Sequence, residues 1–253
     1  MTAKKAQQLI INGLTDTGLV RTHNEDYISW DAATGLVILA DGMGGHNAGE
    51  VASKLAVLHI TDALAEVLSA EVTDNDNVDL EDAVHQAVVF ANTEVHQYAQ
   101  THVECAGMGT TVVAGIFQTD SVVLASVGDS RVYRLRKDKL NQLTTDHSVV
   151  QEMIDNGYMT KKEALESNNR NLITRAIGTD EEIQVDVSKY KTDVNDIYLF
   201  CSDGLSDMLS DNEIISILVK ASPDLERTSS ALIALAKEKG GDDNVSVILV
   251  NCK

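Results

Sequence analysis

Carboxylates stand at the ends of apolar runs throughout this chain. Asp41 follows the apolar stretch 36–40 in LVILADG, Asp203 follows IYLFCS, Asp129 follows VVLASVG, Asp242 and Asp243 precede NVSVILV, and Glu25 and Asp26 precede YISW. A carboxylate at the end of a buried strand is costly to desolvate unless a cation neutralises it. Asp-Gly is also a common turn dipeptide, so any one of these acids reads most simply as a turn. Their recurrence in one relation suggests a shared site, because strand ends distant in sequence can converge on one rim of packed sheets. Gathered carboxylates raise one another's pKa unless cations sit among them. An oxygen-only donor set without His or Cys favours Mg2+ or Mn2+, and the Gly42 carbonyl can approach such an ion too. A pair of such ions can bind a phosphoryl oxygen and activate water. Arg21, four residues before Glu25, has the fork to grip a phosphate dianion, although a lone arginine is more often a surface charge. His46, five residues beyond Asp41, is a candidate proton donor to a leaving oxygen, with a plain loop residue as the alternative.

Rival phosphate motifs fail at the same place. Gly44 and Gly49 have P-loop spacing, but Glu50 and Val51 stand where Lys and Ser/Thr are needed. The dinucleotide pattern that starts at Gly42 and Gly44 meets Asn47 at its third glycine. A cysteine phosphatase needs an arginine six residues after the nucleophile, where Cys105 finds Thr111 and Cys201 finds Asp207. No calcium loop of the form D-x-D-x-D-G occurs.

The elements that must position these acids are legible in outline. QLIINGL, YISW and GLVILA read as strands, and helical spacing runs through 47–69 (Val51, Leu55, Leu58, Leu64, Leu68) and 80–98 (Leu80 to Tyr98). GTTVVAGIF, SVVLASVGDS and RVYRLRKDK are separated by short turns and predict an antiparallel meander. Residues 145–175 are polar and irregular, with two short helices at VVQEMID and KKEALES; strands return at EIQVDV and IYLFCSDG, then helices near 211–220 and 224–239, and NVSVILV. Strand blocks alternating with helix pairs imply an α+β fold rather than a βαβ wheel.

The chain has 253 residues and a net charge of −19, from 20 Lys+Arg against 39 Asp+Glu. That field argues against nucleic acid and anionic membrane as partners. No apolar run nears the roughly 18 residues of a membrane span, and Leu9-Ile10-Ile11 is too short for a signal-peptide core. Three widely spaced cysteines, Cys105, Cys201 and Cys252, suggest a reducing, cytoplasmic setting.

RTHNED, ADGMGGHNAGE, GMGTT, VGDSR, CSDGL and GGDDNVSVILV, in that order from 21 to 250, together resemble the metal-dependent serine/threonine protein phosphatases of type 2C, the PPM family, in its compact bacterial form. The resemblance implies a four-layer α-β-β-α sandwich, two central antiparallel sheets flanked by helix pairs, in a single phosphatase domain over 1–253. It implies two Mn2+ or Mg2+ ions, and a weaker third. Asp41, Asp203 and Asp243 match ligands of one ion; Asp41, Gly42, Glu25 and Asp26 match the surroundings of the other; Asp129 with Asp203 matches the third. Arg21 matches the phosphate-gripping arginine, and residues 145–175 match a flap in which His147 is a candidate substrate contact. Met43 departs from the histidine that many eukaryotic members carry, which leaves His46 or water as the proton donor. The implied partners are phosphoprotein substrates and a cognate serine/threonine kinase; the sequence does not indicate an oligomer, so a monomer is the default expectation. Two further readings share these residues: a catalytically inactive binding module, and the same fold dedicated to one partner.

Overall fold

The run Leu36–Ala40 is apolar at every position because both of its faces are buried. Leu36, Ile38 and Ala40 enter a core formed with two long helices, while Val37 and Leu39 enter a second core against another sheet. The computed structural model describes residues 8–44, 48–69, 79–165, 167–221 and 224–253. Its strands are β1 (Leu9–Asp16), β2 (Asp26–Asp31), β3 (Leu36–Met43), β4 (Gly109–Thr110), β5 (Val112–Phe117), β6 (Ser121–Val127), β7 (Arg131–Arg136), β8 (Lys139–Gln142), β9 (Asp186–Lys191), β10 (Ile197–Cys201) and β11 (Val245–Cys252). The helices are α1 (Ala48–Ser69), α2 (Leu80–Thr101), α3 (Val149–Asp155), α4 (Lys161–Leu165), α5 (Asp203–Ser206), α6 (Asp211–Ala221) and α7 (Leu225–Glu238).

One sheet has the order β1-β11-β10-β7-β8, the other β2-β3-β5-β6-β9 with β4 paired to β3, and all pairings are antiparallel. Val37, Leu39, Val113, Tyr198, Phe200, Ile248 and Val250 fill the space between the sheets. Helices α1 and α2 cover the outer face of the second sheet, and α6 and α7 the outer face of the first. The result is the expected four-layer α-β-β-α sandwich. Local signals start several helices: Asp79 accepts from the Glu81 and Asp82 N–H groups to cap α2, and Asp224 accepts from Arg227 N–H to cap α7.

The structure corrects four details. SVVLASV and RVYRLR do not pair: β6 and β7 lie in different sheets, and the chain crosses between them through Gly128-Asp129-Ser130. β6 is buried at every position and β7 is buried at Val132, Tyr133 and Leu135 with its arginines half-buried, so neither shows the strict alternation that would assign it to a sheet. RVYRLRKDK continues into a hairpin with β8, with Lys137 and Asp138 both at positive φ (50° and 59°), as a two-residue turn of the primed kind requires. The buried stripe of α1 runs through Ala52, Ala56, Ile60 and Leu64, and Leu58 is exposed; the small alanines let the helix approach the sheet closely. Finally, β9 begins at Asp186, after most of EIQVDV. Among the described residues no helix is long and apolar enough to cross a membrane.

Candidate metal centre

Strand register builds the centre of the site. Asp26 opens β2 and sits directly opposite Asp41 of β3. Like charges in such a cross-strand pair repel, so something must offset the repulsion. Asp26 is buried; Ser202 Oγ donates to its Oδ2 at 3.0 Å, and Oδ1 has no hydrogen-bond partner among the described residues. Burial pushes the Asp26 carboxyl up to about 6, opposed by the Ser246 and Ser202 hydroxyls. Asp41 is raised well above the usual carboxylate range by burial, then by repulsion from Asp26, Asp203, Asp129 and Asp243. Asp203, at the start of α5, is raised by burial and by Asp129, Asp207, Asp243 and Asp26. Asp129, on the crossing between the sheets, is pushed up to about 6 by burial, with Asp146 and Asp207 adding to it. Acids from five separate segments therefore feel one another at one rim.

Arg21 Nη2 donates to Asp243 Oδ2 at 2.7 Å, and Asn244 N–H donates to Asp243 Oδ1 at 2.8 Å. Glu25 sits against the first turn of α1, where Gly49 N–H and Arg21 partly offset the upward push of burial on its carboxyl. Gly42 N–H donates to the Glu25 carbonyl at 3.1 Å, and Ser53 Oγ donates to the same oxygen at 2.6 Å. A Cβ at Gly42 would lie 2.1 Å from the Gly49 carbonyl oxygen and 2.6 Å from that of Glu25, so only glycine fits this junction.

These residues suit hard divalent cations. The donors are all oxygens, one buried carboxylate oxygen is unpartnered, and the acids are protonation-prone for want of positive charge. Among the described residues no three His, Cys, Asp or Glu side chains already close on one point as a cage would. Asp243 instead engages Arg21 and Asn244, so the set is gathered but not drawn together.

His147, a candidate substrate contact from the sequence, has its side chain turned inward. It is 5% exposed; Gly128 N–H donates to its Nδ1 at 3.1 Å, and Nε2 lies 3.2 Å from Asp186 Oδ2. The ring thus fastens the base of segment 145–175 to the turn that carries Asp129. Arg131 reinforces this fastening through a forked pair with Asp146 at 2.6–2.9 Å. The segment itself holds α3 and α4, with its base closed by pairing of Ser148 with Ile173. His46 lies outside the described residues. Asp242 is exposed.

Asn244 was the functional side chain most easily overlooked. Its amide donates to the Thr17 and His23 carbonyls at 3.0 and 2.9 Å and accepts from Glu25 N–H at 2.8 Å. It therefore shapes the loop that bears both Arg21 and Glu25. Its place beside Asp243 was visible in GGDDNVSV, but its partners, more than 200 positions away, were not. Asp207, four residues after Asp203 and on the same face of one helical turn, also joins the acidic group.

A four-layer sandwich with an acidic, oxygen-only rim beside an arginine is an arrangement able to hold divalent cations next to a phosphate. The family model described as protein phosphatase 2C matches residues 20–239. A serine/threonine phosphatase stp of Listeria innocua is 38% identical over 240 residues, covering 93% of each chain. The crystal structure of the serine/threonine phosphatase PstP/Ppp of Mycobacterium tuberculosis superposes with a TM-score of 0.86 at 38% identity, over 96% of this chain and 98% of that one. A PstP catalytic domain solved in complex with two manganese ions gives a TM-score of 0.84 at 37% identity, over 96% and 98%. The chain belongs to the protein phosphatase 2C family.

Proposed function

We infer that this protein removes phosphate from phosphoserine and phosphothreonine in other proteins, using two Mn2+ or Mg2+ ions. The observation that carries this reading is the pair of buried Asp26 and half-buried Asp41, set opposite by strand register with one Asp26 oxygen unpartnered, in the field of Asp203, Asp243 and Asp129. Asp41, Asp203 and Asp243 are assigned to one ion, and Asp41, the Gly42 carbonyl, Asp26 and Glu25 to the surroundings of the other. Asp129 with Asp203 is assigned to a weaker third. Bound there, such ions supply Lewis acidity for in-line hydrolysis of a phosphomonoester by water, with no phosphoenzyme.

The chain's own groups do the rest. Arg21 is half-exposed and pairs with Asp243; exchanging that partner for the substrate phosphate lets its fork orient the dianion. His46 is assigned the proton donated to the departing serine or threonine oxygen. Residues 145–175 form a flap beside the rim, on a base held by His147 and Arg131. The substrates are phosphoproteins made by a serine/threonine kinase in the cytoplasm, and the enzyme acts as a monomer.

The test is release of phosphate from phosphothreonine peptides with and without Mn2+. Activity is expected to vanish in excess chelator, and Asp41→Asn is expected to lower kcat/KM by about 10²–10³, as loss of a group that stabilises transition-state charge does. Undiminished turnover in chelator would overturn the metal assignment.

A further inference from the structure

An open groove of about 500 Å³ runs between the end of β1 and the outer face of α7, lined by Leu14, Leu19, Ile233 and Ala234, with Asp16, Lys237 and Glu238 along it. Leu14, Leu19 and the adjoining Val20 are exposed large apolar side chains. Their clustering is unusual on a surface as acidic as this one, with a net charge of −19. The groove belongs to the same backbone as the metal centre. Leu19 N–H donates to the Gly241 carbonyl at 2.8 Å, and Gly18, at φ +81°, packs so tightly on the Asp243 carbonyl that a Cβ would lie 2.2 Å from it. Two residues after Leu19, Arg21 reaches round to the Asp243 carboxylate at 2.7 Å. One wall of the groove and one wall of the phosphate site are thus two sides of a single pinned turn.

We propose that this groove seats an apolar side chain of the phosphoprotein segment flanking the phosphorylated residue, and so selects substrates. The proposal rests on the phosphatase reading above and adds a specificity element to it. Leu19, which lines the groove, and Arg21, which faces the phosphate site, are two residues apart on one turn, so a peptide bound at Arg21 passes the groove within a few residues. Lys237 Nζ contacts both Asp16 carboxylate oxygens at 2.9 Å. That pairing neutralises both charges and leaves Glu238 to set the sign of the lining. The preferred segment therefore carries an apolar anchor next to a basic residue. Binding energy gathered away from the reacting phosphate is a recognised way to raise kcat/KM for one substrate over another.

The test uses the full chain with Mn2+ and three substrates: p-nitrophenyl phosphate, a phosphothreonine peptide with Leu-Lys three and four residues from the phosphothreonine on each side, and the same peptide with Ser-Ser there. The variants are Ala234→Glu and Ser230→Glu, both on the exposed helix face that lines the groove. For the Leu-Lys peptide both variants are expected to lower kcat/KM about tenfold, the effect of losing a buried apolar side chain, with the other two substrates unchanged. Equal losses on all three substrates, or none on the Leu-Lys peptide, would overturn the groove as a substrate site. Sedimentation that shows Ala234→Glu splitting a dimer while leaving the kinetics intact would assign the groove to a second copy and also overturn it. No phosphate release from any substrate by the unaltered protein would instead remove the phosphatase reading, and the groove proposal with it.

Discussion

The contacts of its two ring nitrogens decide what His147 does. Nδ1 accepts from Gly128 N–H, and Nε2 lies between Asp186 Oδ2 at 3.2 Å and Arg175 Nη1 at 3.3 Å. Truncating the buried ring leaves that N–H and a cavity behind. His147→Ala is therefore expected to cost about 1–3 kcal/mol of stability, read as a lower melting temperature, with KM for p-nitrophenyl phosphate unchanged. A raised KM at unchanged melting temperature would return His147 to the role of substrate contact. At the same scale, Asn244 satisfies all of its amide groups but one lone pair while holding the Arg21 loop. Sequence spacing could nominate Asp243 beside it because a carboxylate at a strand start has few uses. An asparagine there has many.

At the scale of elements, the acids are arranged by where strands begin and end. The β2–β3 register puts Asp26 against Asp41, and the tight β3–α1 junction brings the Gly42 backbone against that of Glu25 and Gly49. A methyl at position 42 has no room without moving backbone on both sides. Gly42→Ala is expected to destabilise the fold by about 1–3 kcal/mol, the usual range for overpacking, and to weaken Mn2+ binding measured by calorimetry. Melting and Mn2+ affinity equal to those of the unaltered protein would show that the junction can open freely. The strands and long helices were readable from local period, and the capping residues Asp79 and Asp224 sit where helix starts are expected. The β6–β7 crossing was not readable, because neither run alternates strictly between buried and exposed residues, and so neither carries a mark of which sheet it joins.

For the whole molecule, the acidic rim makes stability depend on pH and on cations together. Asp26 and Asp129 titrate near 6 in the folded chain, above the ordinary value of 3.8. The folded state then binds more protons than the unfolded one between those values, so stability falls as pH rises through that window. In chelator the protein is expected to melt several degrees higher at pH 5 than at pH 7.5, since one kcal/mol corresponds to about 2–4 °C in a domain of this size. Mn2+ at pH 7.5 is expected to restore the loss by neutralising the same carboxylates. A chelated protein that melts higher at pH 7.5 than at pH 5 would mean that the acids do not strain one another.

Sequence by itself pointed to a layered α+β class and nominated five of the rim acids as a shared site for hard cations, because hydrophobic period and the cost of a lone carboxylate are local properties. Their roles came with the family resemblance, and Asp207 was added by the structure. Tertiary structure alone decided that Asp26 faces Asp41, that His147 turns inward, that α1 packs on its alanines, and that an apolar groove adjoins the Arg21 turn. Each of these depends on which distant backbone lies alongside, and one chain's residue types do not state their partners.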